Sequence, residues 1–128
     1  MQMQKVYKMS NSEMEIMKVI WGSAAPVTVA QLLNIFESRK WKAQTMATFL
    51  TRLAEKGLIS INKQAKTNLY APAVTEQEYR RLEAQHLLSS MYDGSLQNFL
   101  SALYGGGEIN ANEAEEVKKW FERAGKSD

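Results

Sequence analysis

Cysteine is absent from the 128-residue sequence, histidine occurs once and proline twice. Without cysteine, disulfide bonds, thiol catalysis and thiolate metal sites are excluded. His86 has no other metal-ligating residues clustered around it, and the sequence holds neither a nucleophile–base arrangement nor a glycine-rich phosphate loop. We therefore expect no catalytic residue, no metal and no cofactor, and predict that the protein is not an enzyme. His86 is interpreted as a packing or surface residue.

Long apolar runs are also missing. The first residues, MQMQKVYKMSNSEMEIM, lack the apolar segment of a signal peptide, and no later stretch is long and apolar enough to span a bilayer. We therefore expect a cytoplasmic protein without membrane insertion. Hydrophobic residues make up 45% of the chain and charged residues 23%, proportions that are typical of a globular protein.

The charge is unevenly distributed along the chain. Residues 1–74 hold ten Lys or Arg and four Asp or Glu, a net charge of +6, whereas residues 75–128 hold six and ten, a net charge of −4. Between Glu37 and Glu76, seven basic residues accompany a single acid, Glu55. This asymmetry predicts a module that binds a polyanion, joined to a module that does not. An ordinary solvated basic surface is the alternative.

Two short segments have the spacing of capping boxes, which mark helix starts. Ser10 is followed three residues later by Glu13, and Thr28 by Gln31. The first pair predicts a helix over residues 10–21. The second pair predicts a helix whose buried stripe consists of Val29, Leu32, Leu33 and Phe36.

The stretch WKAQTMATFLTRLAEKG, residues 41–57, predicts a third helix that ends at Gly57. Its apolar residues fall at i, i+3, i+4 and i+7, namely Met46, Phe49, Leu50 and Leu53. Apolar residues then flank the polar segment NKQAKTN, residues 62–68, which predicts a β-hairpin with a loop of several residues. Two helices joined by a short connection and followed by a basic hairpin form a winged helix-turn-helix. We predict such a DNA-binding domain for residues 1–74.

The face of this third helix opposite its apolar residues is uncharged, with Gln44, Thr48 and Thr51 at its centre. A solvated helix face usually carries Glu and Lys, which favour the helix more than threonine does. Short donors, acceptors and methyl groups instead suit the major groove of DNA, where carboxylates would be repelled by phosphates. We predict DNA contacts by Lys42, Gln44, Thr45, Thr48, Thr51, Arg52, Lys63 and Lys66.

A protein-interaction module whose basic face binds an acidic protein partner is the alternative function. A helix with that role more often exposes large apolar or aromatic anchors. The uncharged polar face of the third helix therefore favours DNA binding.

Three further helices are predicted in residues 75–128, beginning at Thr75, after Gly94 and at Asn110. A segment of about 50 residues is close to the size at which an isolated domain becomes marginal, yet this one carries many large apolar side chains. A second copy of the chain would complete its core. We therefore predict a mainly α-helical protein with a small β wing, in which residues 75–128 form a homodimer through Leu88, Met91, Leu96, Phe99, Leu100, Leu103, Val117, Trp120 and Phe121.

The most specific motif of the chain is Thr45-x-x-Thr48-x-Leu50-x-Arg52-Leu53-x-x-Lys56-Gly57-Leu58-Ile59, followed by a hairpin with Lys66 and Tyr70-x-Pro72. Further landmarks are SNSEMEIMKVIW, Thr75-Glu-Gln-Glu-Tyr79 and Tyr92-Asp-Gly-Ser95. In these motifs, and over nearly its whole length, the chain resembles the BlaI/MecI/CopY family of bacterial repressors, which control β-lactamase, methicillin-resistance and copper-transport genes.

The resemblance implies a winged-helix domain, a helical dimerisation domain and a homodimer that binds a palindromic double-stranded DNA operator. Gln44 and Ala47 stand where the methicillin-resistance repressors carry basic residues, which implies a different operator or affinity. The matching positions imply DNA contacts by Lys66 of the wing and, on the recognition helix, by Thr45, Thr48 and Arg52.

The resemblance also bears on the inducing signal. Copper-responsive members carry a C-terminal cysteine cluster, which this chain lacks. Members that respond to β-lactams are inactivated when a membrane metalloprotease sensor cuts an Asn–Phe bond in the C-terminal domain. Asn98–Phe99 is the matching dipeptide, so it is the candidate cleavage bond and such a sensor is a candidate partner. An ungapped alignment anchored on Gly94 places the bond nearer Ser101–Ala102 instead.

Overall fold

The computed structural model describes residues 8–105 and 109–125, which form six α-helices and one antiparallel β-hairpin. The chain divides into two compact units, one ending at His86 and the other beginning at Leu87. The predicted fold class, mainly α with a small β wing, is confirmed. In chain order the elements are α1 (Asn11–Gly22), α2 (Val29–Ile35), α3 (Ala43–Glu55), β1 (Ile59–Gln64), β2 (Thr67–Pro72), α4 (Glu76–Tyr92), α5 (Leu96–Tyr104) and α6 (Ala111–Gly125).

Local capping bonds begin α1 and α2. Ser10 Oγ accepts a hydrogen bond from Glu13 N at 3.2 Å, and Glu13 Oε1 accepts one from Ser10 N at 2.9 Å. Thr28 and Gln31 exchange the same two bonds at the start of α2. Both predicted capping boxes are therefore confirmed, and each satisfies amide groups that a helix start otherwise leaves without a partner.

One apolar core holds the first unit together, and α1, α2, α3 and the hairpin all contribute to it. Burying each large apolar side chain stabilises the fold by about 1.5–3 kcal/mol. In α2 only Leu32 is fully buried, while the other residues of its predicted stripe are partly buried, because this helix is only two turns long. The completely buried side chains are Ile16, Met17, Ile20, Leu32, Met46, Leu50, Leu53 and Leu58.

The hairpin is longer, and its tip tighter, than the sequence predicts. Strand pairing continues to Gln64 and Thr67, so the turn consists of Ala65 and Lys66 alone. The prediction of a loop of several residues is wrong. The polar residues near the tip continue the strands by backbone pairing, which needs no apolar side chains. Ala65 has φ of +55°, the sign that the first central position of a two-residue hairpin turn requires.

The other edge of the hairpin is attached to the residues before α2. Val27 donates to Tyr70 O at 2.9 Å, and Tyr70 N donates to Val27 O at 2.8 Å. Both side chains are buried in the core of the unit. The wing is therefore fixed to the helix-turn-helix by backbone pairing as well as by apolar packing.

The first turns of α4 also pack in the first unit. Tyr79 is 6% exposed and belongs to its core, with its ring centroid 5.5 Å from that of Trp21. Trp21 Nε1 donates to Val74 O at 2.9 Å. The core of the first unit thus draws on residues after Val74, and the domain boundary at residue 74 stays a prediction.

The second unit begins at Leu87 and contains the end of α4 together with α5 and α6. Ser95 Oγ accepts from Asn98 N at the start of α5, and Asn110 Oδ1 accepts from Glu113 N at the start of α6. These helix starts agree with the sequence prediction. None of the described residues of α5 and α6 is buried.

Candidate nucleic-acid interface

Helix α3 has one buried face and one exposed face. Met46, Leu50 and Leu53 are buried, since they lie at the 3- and 4-residue spacing that brings side chains onto one side of a helix. Glu55, its single acid, is the last residue of the helix. The exposed side chains of the opposite face are Gln44, Thr45, Thr48, Thr51 and Arg52.

The N-terminus of α3 lacks a side-chain cap. Lys42 occupies the N-cap position and makes no capping hydrogen bond. The first-turn amide groups, which have no acceptor within a helix, are therefore open to an external anion. An exposed cation at this end opposes the helix dipole and disfavours folding slightly, but it attracts the same anion.

The threonines of the exposed face differ in the partners of their hydroxyl groups. Thr48 Oγ1 donates to the backbone oxygen of Gln44 at 3.0 Å, a bond to the carbonyl four residues back. The hydroxyl groups of Thr45 and Thr51 have no intramolecular hydrogen bond within the described residues. These two donors are therefore available to DNA, whereas that of Thr48 is occupied.

The wing lysines lie beside a cleft of about 540 Å³ between the hairpin and the start of α2. Their ammonium groups, together with the hydroxyl and amide groups that also line the cleft, form a surface suited to a phosphate. Asn68, which faces Lys63 across the strand pair, is missing from the sequence prediction, because the predicted loop concealed this register. The cleft is lined by Thr28, Val29, Ala30, Lys63, Lys66, Thr67, Asn68 and Tyr70.

Lys56 belongs to an internal ion pair rather than to this surface. Its Nζ donates to Glu13 Oε1 at 2.7 Å and to Lys8 O at 2.6 Å. Burial raises the pKa of Glu13, but the hydrogen bonds from Lys56 and the Ser10 backbone, together with the charges of Lys56 and Arg52, outweigh it and lower the pKa. The carboxylate therefore stays ionised although the residue is 2% exposed.

Arg39 is engaged within the first unit as well. It forms an ion pair with Glu15, and its guanidinium carbon lies 5.0 Å from the ring centroid of Trp41. Trp41 in turn contacts Phe36 and Phe49, with centroid separations of 5.5 and 5.1 Å. This cluster of Phe36, Trp41 and Phe49 fixes the connection between α2 and α3. Of the seven basic residues between Glu37 and Glu76, five are exposed and form no ion pair within the described residues, although the charge of Arg52 also acts on Glu13. They are Lys40, Lys42, Arg52, Lys63 and Lys66.

The residues predicted to form a dimer interface all lie in the second unit. Met91 is 69% exposed, Leu103 59% and Trp120 56%. Leu96 and Phe121 are also exposed. The half-buried members of the predicted set are Leu88, Phe99, Leu100 and Val117.

The candidate cleavage bond Asn98–Phe99 lies inside α5. Asn98 is exposed, and its backbone amide donates to Ser95 Oγ at 3.1 Å. Phe99 packs edge-on against Tyr92, with ring centroids 5.5 Å apart. The alternative bond, Ser101–Ala102, lies in the same helix.

Within the described ranges, no three His, Asp or Glu residues are grouped so that they could hold a metal ion. None of the described helices combines the length and hydropathy that crossing a bilayer requires.

The sequence profile of the penicillinase repressor family matches residues 9–123. The chain is 26% identical over 120 residues to the penicillinase repressor of Bacillus licheniformis, covering 94% of each. It is 25% identical over 114 residues to the methicillin resistance regulatory protein MecI of Staphylococcus aureus strain N315, covering 89% of this chain and 93% of that protein. The solved DNA-binding domain of the repressor BlaI is similar with a TM-score of 0.52 and 29% identity, over 60% of this chain and 94% of that domain. The chain therefore belongs to the penicillinase repressor family.

Proposed function

We propose that this protein is a transcriptional repressor that binds a two-fold symmetric DNA operator as a homodimer. In each half-site α3 lies in the major groove and the hairpin contacts the adjacent backbone. The observation that carries the proposal is the exposed face of α3, which is polar, free of acids at its centre and flanked by cations. Membership of a family whose named relatives are repressors supports the same function.

The exposed groups on α3 divide between reading bases and binding phosphates. The amide of Gln44 suits a bidentate contact with an adenine edge, whereas Arg52 lies at the side of the face and suits the backbone. The uncapped start of α3 and the lysine-lined cleft at the wing are two further positions for phosphates. Bases are thus read from the centre of the surface and phosphates are bound around it.

The match to a solved DNA-binding domain supports this arrangement. Almost all of the BlaI domain is covered, at an identity of 29%. That domain is named as the DNA-binding domain of its repressor. The aligned part makes up 60% of this chain, which is about the length predicted for its winged helix-turn-helix domain.

Dimerisation is assigned to the second unit. Large apolar side chains such as Met91, Leu103 and Trp120 are more than half exposed there, and burying them would remove apolar surface from water. A second copy of the unit would cover them with an isologous interface. Joining two recognition helices multiplies weak half-site affinities through their effective concentration.

Loss of the dimer by proteolysis is the proposed route of induction, with a membrane metalloprotease sensor as partner. Asn98–Phe99 and Ser101–Ala102 both lie in a helix, so either bond must unwind before a protease can cut it. None of the α5 residues is buried within a single chain, so unwinding costs less free energy in the monomer than in the dimer, where the partner would cover this helix. A cut there would separate the recognition helices without altering the DNA-contacting face.

Titration of the full chain with a duplex selected from a random pool tests the proposal. A dimer that contacts roughly six to eight phosphates gives a log–log salt slope of about −5 to −7. Sedimentation should show a dimer, and Trp120→Ser should shift it towards monomer while leaving half-site binding unchanged. A slope near zero, or equal affinity for a scrambled duplex, would remove the DNA-binding function. Tight binding of an acidic protein but of no duplex would favour the interaction-module alternative.

A further inference from the structure

Thr48 lies at the centre of the exposed face of α3. Gln44, Thr48 and Thr51 follow each other at intervals of four and three residues, so they form one row opposite the buried residues. The neighbours of Thr48 one turn away are residues 44, 45, 51 and 52, none of which is acidic. Its side chain is exposed and would face the floor of a groove in which α3 lies.

The hydrogen of the Thr48 hydroxyl is already used. It is donated to Gln44 O at 3.0 Å, so towards DNA the hydroxyl oxygen can act as an acceptor but not as a donor, and the γ-methyl is the other group that the side chain offers. The hydroxyl groups of Thr45 and Thr51 make no such bond within the described residues. The three threonines of this face therefore offer different chemistry to DNA, although the sequence presents them as equivalent.

We propose that Thr48 reads a thymine of the operator through contact between its γ-methyl and the C5-methyl of the base. This inference rests on the proposed function, because it assigns a base to a residue of the same surface. In the major groove the C5-methyl distinguishes thymine from cytosine without any hydrogen bond. Removing one buried methyl group from such a contact weakens binding about fourfold in each half-site.

The test uses the full chain and a duplex that the wild-type protein selects from a random pool. Each thymine of a half-site is replaced in turn by deoxyuridine, which lacks the C5-methyl. Binding is measured for the wild type, Thr48→Val and Thr48→Ser. Valine keeps the methyl group and the shape of threonine without the hydroxyl, and serine keeps the hydroxyl without the methyl. Thr51→Ser is the matched control, since it removes a methyl group one turn along the same face.

We expect one thymine in each half-site whose replacement weakens the wild type and Thr48→Val about fourfold. Thr48→Val should bind the unmodified duplex within about twofold of the wild type. Thr48→Ser should lose about fourfold in each half-site, about sixteenfold for the two half-sites of a dimer, and be insensitive to that replacement. Thr51→Ser should keep the sensitivity. Melting temperatures check that each variant is folded.

Three results would overturn the inference while leaving the proposed function in place. The first is a loss of more than about tenfold for Thr48→Val, which would mean that the hydroxyl reads DNA. The second is that no thymine replacement weakens binding of the wild type. The third is that Thr51→Ser abolishes the sensitivity to thymine replacement. Failure of the wild type to select any duplex would instead refute the proposed function, and this inference with it.

Discussion

Replacing Lys56 by methionine should destabilise the first unit without weakening DNA contacts directly. The ammonium group bonds Glu13, whose side chain would otherwise keep only the Ser10 amide as a partner. Breaking a buried ion pair by removing one partner costs about 3–5 kcal/mol, and the partial exposure of Lys56 reduces this to about 2–3 kcal/mol. In a unit of this size each kcal/mol lowers the melting temperature by about 4–8 °C.

Glu13→Gln should cost less, about 1–2 kcal/mol, because the amide oxygen of glutamine can still accept from Ser10 N. The double variant Glu13→Gln with Lys56→Met should cost less than the sum of the two single changes, since both remove the same interaction. Urea unfolding at pH 7 measures all three free energies.

The pH dependence gives an independent measurement. The pKa of Glu13 is lowered in the folded state below its ordinary value of 4.5. Its stabilisation is therefore fully present above pH 4.5 and is lost as the pH falls through the lower folded value. Glu13→Gln should lack this part of the acid-induced loss, whereas the wild type should show it.

Lys66→Met is the matched control, because it removes an equal charge from an exposed lysine of the wing. It should change the free energy of unfolding by less than about 0.5 kcal/mol but weaken DNA binding. The reasoning is refuted if Lys56→Met is as stable as this control, or if the double variant is strictly additive.

Gln44→Ala should weaken binding to the selected duplex by about 1–3 kcal/mol and to random DNA by less, whereas Lys66→Ala should weaken both alike and flatten the salt slope by about one. Equal losses for Gln44→Ala on both DNAs would contradict its base-reading role. Ala65→Gly should raise the free energy of urea unfolding by about 0.5–1 kcal/mol, since φ is +55° there; a decrease would contradict the turn geometry. A chain ending at residue 86 should have a free energy of unfolding about 2–4 kcal/mol larger than one ending at Val74, which lacks the buried Tyr79, and should therefore melt at a higher temperature. Equal melting temperatures would place the boundary at residue 74.

The sequence by itself determined the features that are encoded within a few residues. The capping boxes at Ser10 and Thr28 depend on pairs three positions apart, so the helix starts could be read directly. The buried and exposed faces of α3 follow from the helical period, which also gave the candidate DNA-contacting residues. The order of these local signals along the chain, two helices and then a basic hairpin, was enough to predict a winged helix-turn-helix.

Only the tertiary structure decided which charges are available to a ligand. Lys56 and Glu13 are 43 positions apart, and Arg39 and Glu15 are 24 apart, so no local pattern distinguishes these paired cations from the free ones on α3 and the wing. Burial of Tyr79 against Trp21 likewise depends on two helices meeting. Periodicity predicts on which face of its own helix a side chain lies. The residue that this side chain contacts is set by packing between elements that are distant in the chain.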